Sequence, residues 1–170
     1  RRVLFRSKYQ ETHPNASYTP RYEDTGYFLL KYLPRQGGNS QCTGDKDLNY
    51  RNNLRVYRYA ETLLNAAELI LRTGGDTAEA QNYLDQVRAR AYRTTVENLG
   101  AHKVVANIDN VLEERHLELY GEGKRFWDLV RSGKANEVLG SRGYKDNKKY
   151  LPIPSSEIDK SAGTLTQNPY

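Results

Sequence analysis

Cysteine occurs once, at Cys42, and methionine not at all among the 170 residues. A single thiol excludes an internal disulfide framework and a zinc site built from several cysteines. No apolar run is long enough for a signal peptide or a membrane span, and the chain opens on Arg1-Arg2-Val3-Leu4-Phe5, so it reads as a mature or truncated product. The residues before Cys42 are Gly38-Asn39-Ser40-Gln41, with no apolar signal segment ahead of them, which puts any lipid anchor outside this chain. Also missing are the Gly-x-Ser-x-Gly elbow of hydrolases, a phosphate-cradling glycine loop and a His-Glu-x-x-His pair. His13, His102 and His116 stand far apart, and Glu113-x-x-His116 is half of a di-iron spacing whose second half is absent. Carboxylate pairs that would suit a glycosidase occur on any acidic helix and carry no weight. The sequence therefore assigns no catalytic residue, no metal and no cofactor.

Charge is plentiful but mixed. Lys and Arg number 26 and Asp and Glu 21, a net charge of +5. A basic balance invites a nucleic-acid partner, but acids and bases are interleaved through residues 51–131, and the nearest basic cluster, Lys145–Lys149, is interrupted by Asp146 and Asn147. No basic stripe or recognised module accompanies the charge, so nucleic acid is excluded as a partner. Tyrosine, at 14 against 3 Phe and 1 Trp, supplies aromatic area with a hydroxyl at its edge. Most of these rings suit amphipathic packing at the margin of a core. Those on irregular chain, Tyr18, Tyr22, Tyr27 and Tyr32, are the candidates for stacking against a sugar or anchoring a peptide.

Two regions differ in texture. Residues 1–54 carry Pro14, Pro20, Pro34, Gly26, Gly37, Gly38 and Gly44 among short aromatic stretches, which predicts irregular, loop-rich chain with one strand over Tyr27–Tyr32. From Leu54 onward Val56, Tyr59, Ala60, Leu63, Leu64, Ala67, Ile70 and Leu71 recur at spacings of three and four, predicting an amphipathic helix stopped by Gly74-Gly75. Asp76 with Glu79 resembles a capping box, and Ala80, Tyr83, Leu84, Val87 and Ala91 continue as a second, antiparallel helix. The pair approaches the length of a tetratricopeptide unit without its consensus motif. A third helix follows over Ile108–Tyr120 with Asn107 or Asp109 near its start. Gly121 and Gly123 then interrupt it, a fourth, shorter one carries Phe126–Val130 with Gly133 at its cap, and Pro-rich loop follows with at most one helical turn after Ser155. Leu151-Pro152-Ile153-Pro154 has two fixed φ angles and predicts an extended strap that brings the C-terminus back over the helices. The fold class expected is mainly α, tetratricopeptide-like helical hairpins with long irregular loops.

Glu114, Glu118 and Glu122 lie four apart, and Arg125, Asp128 and Arg131 follow at threes, so acids and bases can alternate along one helical side. Leu117, Leu119, Phe126, Trp127 and Leu129 bracket this stripe, which favours partly buried charges acting as a structural clamp over a solvated face. The same residues carry a family resemblance. Arg58-Tyr59-Ala60-Glu61-x-Leu63-Leu64-Asn65-x-Ala67-Glu68, Val87-Arg88-x-Arg90, Glu114-Arg115-x-x-Glu118-Leu119, Glu122-Gly123-x-Arg125-Phe126-x-Asp128-Leu129 and Leu151-Pro152-Ile153-Pro154 with Gln167-Asn168-Pro169-Tyr170 resemble, in order and spacing, the C-terminal region of the SusD/RagB family. The resemblance covers residues 55–170 and is weaker over 1–54, where Phe28-Leu29-Leu30-Lys31-Tyr32 ahead of the first helix carries it.

It implies part of an α-α superhelix from a non-catalytic, lipid-anchored lipoprotein of the outer membrane of Bacteroidota-type bacteria. Such a protein captures oligosaccharides, or in some members peptides, and passes them to a SusC-like TonB-dependent transporter. A helical-repeat scaffold binding a protein partner is the alternative. The resemblance makes Arg58, Glu61, Glu68, Glu114, Arg115, Glu118, Glu122, Arg125 and Asp128 architectural, with much of the ligand site upstream. It also makes Gly121, where the family keeps a bulkier residue, the site of a kink.

Overall fold

The computed structural model describes residues 6–8, 19, 22, 27–32 and 53–169. The chain forms two compact units, Arg1–Gly123 and Lys124–Tyr170. Tyr18, His13 and Cys42 lie outside the described residues. The fold is mainly α.

In the first unit the expected single strand is shorter and has a partner. Strand β1 (Arg6–Lys8) pairs antiparallel with β2 (Tyr27–Leu29), Arg6 opposite Leu29 and Lys8 opposite Tyr27, and Leu30–Tyr32 then tightens into a 3₁₀ turn. Helix α1 begins at Tyr59 and runs to Thr73, later than the apolar spacing from Leu54 predicts. Residues 54–58 fit the helical period, but Leu54 is 81% exposed and Arg58 is extended at φ −146°. The Leu54 side chain stays in solvent, whereas the extended Arg58 backbone carries its guanidinium to acidic partners described below.

Gly74 ends α1 in the left-handed region at φ 71°, where a side chain would be strained, and its N–H and that of Gly75 both donate to the Ile70 carbonyl. Asp76 starts α2 (Thr77–Tyr92) by accepting the Ala78 N–H at 2.8 Å. The Glu79 carboxylate accepts the Tyr83 hydroxyl one turn on. Asn107 caps α3 (Ile108–Glu118) through the Asn110 N–H. The core joins Leu63, Leu64 and Ala67 of α1 to Ala80, Leu84 and Val87 of α2 and Val111 of α3. Each fully buried Leu here contributes about 1.5–3 kcal/mol, and alanine at 67 and 80 lets the two helix axes approach. Gln81 closes the loop before α3 by donating to the Val104 carbonyl and accepting the Ala106 N–H.

Helix α3 stops at Glu118, so the expected kink at Gly121 is a full break. Gly121 sits at φ 77°, and a Cβ there would lie 2.7 Å from Leu29 Cδ2. Gly121→Ala is therefore expected to lose about 1–2 kcal/mol from left-handed strain plus displacement of Leu29. Chemical denaturation measures it, and an unchanged midpoint would contradict the close approach.

In the second unit α4 (Arg125–Arg131) ends as expected, with Gly133 at φ 73° and the Lys134 N–H returning to the Leu129 carbonyl. Helix α5 (Ala135–Leu139) and two 3₁₀ turns, Gly140–Arg142 and Asp146–Lys149, occupy chain expected to be loop. Helix α6 (Ser155–Lys160) follows Pro154, which stands at its N-cap in place of Ser155. The Leu151–Pro154 strap is tied to the C-terminus: the Gln167 amide accepts the Ile153 N–H and donates to the Ile153 carbonyl, both at 2.8 Å, and Asn168 donates to the Leu151 carbonyl.

Candidate functional site

Two of the acidic positions of α3 face inward, while Asp109 and Glu113 are exposed. Glu114 and Glu118 are each 1% exposed, and Arg115 and Asp128 are buried as well. Charges this deep need opposite charges and hydrogen bonds to offset their lost hydration. Their partners come mainly from other elements, not from the same helical side as the i, i+4 spacing suggests.

Glu114 binds Arg88 of α2 at 2.7 Å. The Arg88 Nε donates to the His102 carbonyl, and its guanidinium lies 5.5 Å from the Tyr92 ring, which stacks on His102 at 3.9 Å. Arg115 pairs with Glu61 of α1 at 3.6 Å and donates to Asn65 Oδ1. Asp85 meets Lys103 at 3.2 Å, and Glu68 meets Arg72 at 2.8 Å. In the second unit Arg131 donates to Asp128 at 2.8 Å, and Arg125, half-buried, begins the same helix.

The densest cluster lies at the end of α3. Arg58 donates from Nε to both Glu122 oxygens at 2.9 Å, from one terminal nitrogen to the Glu118 carboxylate at 2.6 Å and from the other to the Glu118 carbonyl at 2.7 Å. Arg90 of α2 also pairs with Glu118, and Lys31, from the turn after β2, pairs with Glu122. A planar guanidinium is suited to this fork, since it serves two carboxylates and a carbonyl at once. Burial, then the neighbouring Arg58 charge, pushes the Lys31 amine down to about 8, with Glu118 pulling the other way.

The sequence anticipates Arg58, Glu61, Glu68, Glu114, Arg115, Glu118, Glu122 and Asp128 at these positions. It gives no sign of Asp85, and none of the pairing of Lys31 with Glu122, 91 residues away, or of Asn65 with Arg115. Of the candidate tyrosines, Tyr22 is 94% exposed on a turn, Tyr27 lies in β2, and Tyr32 is half-buried in the 3₁₀ turn with Arg55 6.0 Å from its ring. Among the described residues no group of three or more His, Cys, Asp or Glu side chains is disposed to hold a metal ion, and no helix is long and apolar enough to cross a membrane.

Helical hairpins cross-tied by buried guanidinium–carboxylate pairs define an α-helical scaffold of tetratricopeptide-like type. The chain belongs to the SusD family, whose model matches residues 6–170. SusD-like protein P2 of Formosa agariphila is 32% identical over 96% of the chain, which covers 34% of that protein. Surface glycan-binding protein A from Bacteroides thetaiotaomicron superposes with a TM-score of 0.81 and 45% identity over 99% of the chain and 38% of its own length. A laminarin-binding SusD-like protein gives 0.79 and 42% over 97% of the chain and 34% of its own. The chain thus spans little more than a third of the length of these relatives. The Bacteroides protein has also been solved in complex with laminarihexaose, at 44% identity to this chain.

Proposed function

We propose that the protein to which this chain belongs binds glycan at the cell surface without cleaving it, and that its ligand is of the laminarin type. The observation that carries this reading is the 45% identity across 99% of the chain to a surface glycan-binding protein that has also been solved with laminarihexaose. A second solved relative, 42% identical, is named for laminarin binding, which favours glycan over the peptide ligand that the sequence leaves open. Delivery to a SusC-like TonB-dependent transporter, with a lipid anchor at the outer membrane, completes the proposal and rests on family membership.

In this reading the ion-pair lattice is a brace. It holds three helices and the turn after β2 in fixed relation, so that surface rings are presented without large ordering costs on binding. Arg58, Glu61, Glu114, Arg115, Glu118 and Glu122 serve that rigidity in the first unit, and Arg125 and Asp128 in the second. Tyr22, 94% exposed, is the candidate ring for a sugar face.

Isothermal titration of the full-length protein with laminarihexaose is expected to show saturable binding with no shortening of the oligosaccharide, and peptide mixtures are expected to give no heat. Silence toward laminarihexaose with binding of peptide would overturn the reading. Tyr22→Ala is expected to weaken laminarihexaose about fivefold, the loss of about 1 kcal/mol typical of a peripheral aromatic contact. An unaltered Kd removes Tyr22 from the site.

A further inference from the structure

The second unit holds most of the chain's net charge. Lys124–Tyr170 carries nine Lys and Arg against five Asp and Glu, a balance of +4 out of +5 for the whole chain. All of these charged residues lie among the described residues. Three of the five acids are engaged within the unit: Asp128 accepts Arg131 in α4, Glu157 pairs with Lys160 in α6, and the Asp146 carboxylate accepts the Asn136 amide of α5 at 2.6 Å.

A basic run remains from Arg142 to Lys149. Asp146 interrupts it in the sequence, but in the fold that carboxylate is tied to α5, while the Lys148 N–H closes a 3₁₀ turn on the Lys145 carbonyl at 2.8 Å. Arg142, Lys145, Lys148 and Lys149 are all exposed. Lys148 donates to the Gly143 carbonyl at 2.6 Å, and the Lys149 amine lies 5.0 Å from the centroid of the Tyr150 ring, contacts that leave both positive charges in place. Tyr150 and Leu151 follow directly and are 49% and 63% exposed. The segment is fixed at both ends all the same. Tyr144 packs edge-on against Phe126 of α4 with ring centroids 6.1 Å apart, and the Leu151 carbonyl accepts the Asn168 amide at 2.8 Å.

We propose that residues 142–151 form a docking face for an anionic membrane surface, with the four cations over lipid phosphates and Tyr150 and Leu151 seated at the level of the headgroups. A cluster of Lys and Arg complements the negative potential of such a surface, and a tyrosine ring suits the boundary between water and acyl chain. The backbone is prepared for that boundary, because Asn168 and Gln167 satisfy the polar groups of Leu151 and Ile153 and so lower the cost of leaving water. An acidic saccharide would also answer to the charge, but the Lys149 amine covers a face of the Tyr150 ring that a sugar would stack on, and an exposed leucine offers nothing to hydroxyl groups.

The test is sedimentation of the full-length protein, prepared without lipid modification, with vesicles of phosphatidylcholine alone or mixed with phosphatidylglycerol at about three to one. Binding is expected to the mixed vesicles only, and to fall when salt is raised from about 0.05 M to about 0.5 M. Each Lys or Arg beside an anionic surface is worth about a fivefold gain in partition, so replacing Lys145, Lys148 and Lys149 together by Gln is expected to weaken binding about a hundredfold. Lys160→Gln, outside the segment and already paired with Glu157, is expected to change it by less than about twofold. Leu151→Asn is expected to lose about tenfold, since its apolar side chain no longer enters the headgroup layer. Equal binding to both kinds of vesicle, binding to neither, or an unaltered Leu151→Asn overturns the proposal. So does binding of polygalacturonate, lost in the triple variant, by a protein that ignores the vesicles. No glycan of the laminarin type enters these measurements, so the docking face and the glycan reading stand or fall separately.

Discussion

Glu118→Ala is expected to lower the folding free energy by about 3–5 kcal/mol, the usual loss when one side of a buried ion pair is removed. Glu118 receives Arg58 and Arg90 together, from different elements, so its deletion takes a carboxylate from two guanidinium groups at once, although Arg58 keeps Glu122 and the backbone carbonyl of residue 118. Arg58 accounts for most of the cost. Its side chain is largely enclosed, whereas that of Arg90 is half-exposed and can turn back to water. The surrounding charge makes the loss worse, because Glu122 already receives both Lys31 and Arg58. Glu118→Gln preserves volume and an acceptor oxygen and is expected to fall between wild type and the alanine variant. Urea denaturation monitored by circular dichroism gives the comparison. A loss below about 1 kcal/mol would mean that the cluster rehydrates and braces nothing.

Leu64→Ala should cost about 2–5 kcal/mol by a different route. Leu64 is fully buried at the centre of the α1–α2–α3 core, packed with Leu84, Val87 and Val111, so truncation removes apolar contact and leaves a void that three helices can only partly close. Leu69, on the outer face of the same helix, provides the control: its truncation is expected to change stability by less than about 0.5 kcal/mol. Equal losses at both positions would mean that α1 buries a different face.

The same contrast marks where the sequence is legible. Helices α1 to α3 are long enough for apolar periodicity to repeat, and Gly74, Asp76 and Asn107 punctuate them by local backbone chemistry, so their existence and most of their boundaries can be read directly. The start of α1 cannot. Leu54 and Val56 continue the period, but what places Arg58 in extended chain is a partner 60 residues away. Helix α5 is five residues long, too short for any period to declare itself, and β1 and β2 are three residues each, with a pairing that no local pattern specifies.

The candidate site divides in the same way. Regular spacing marks Glu114, Glu118 and Glu122, and bracketing leucines and aromatics indicate that they are buried. Spacing cannot say which cations meet them. Arg88, Arg90 and Arg58 are visible as members of the family pattern, but their pairing with particular carboxylates is a tertiary fact. Lys31 belongs only to the weaker match over Phe28–Tyr32, and a solitary lysine after a short strand is ordinary until the fold brings Glu122 to it.

The tie between Gln167 and Ile153 bears on how the protein behaves at high concentration. Pro152 and Pro154 have no amide hydrogen, so Ile153 carries the only donor across that stretch of extended backbone. One glutamine side chain occupies that donor and the Ile153 carbonyl as a neighbouring strand would. A segment that would otherwise offer a ragged edge to another molecule is thereby closed from within, which guards it against intermolecular β-pairing and the aggregation that follows.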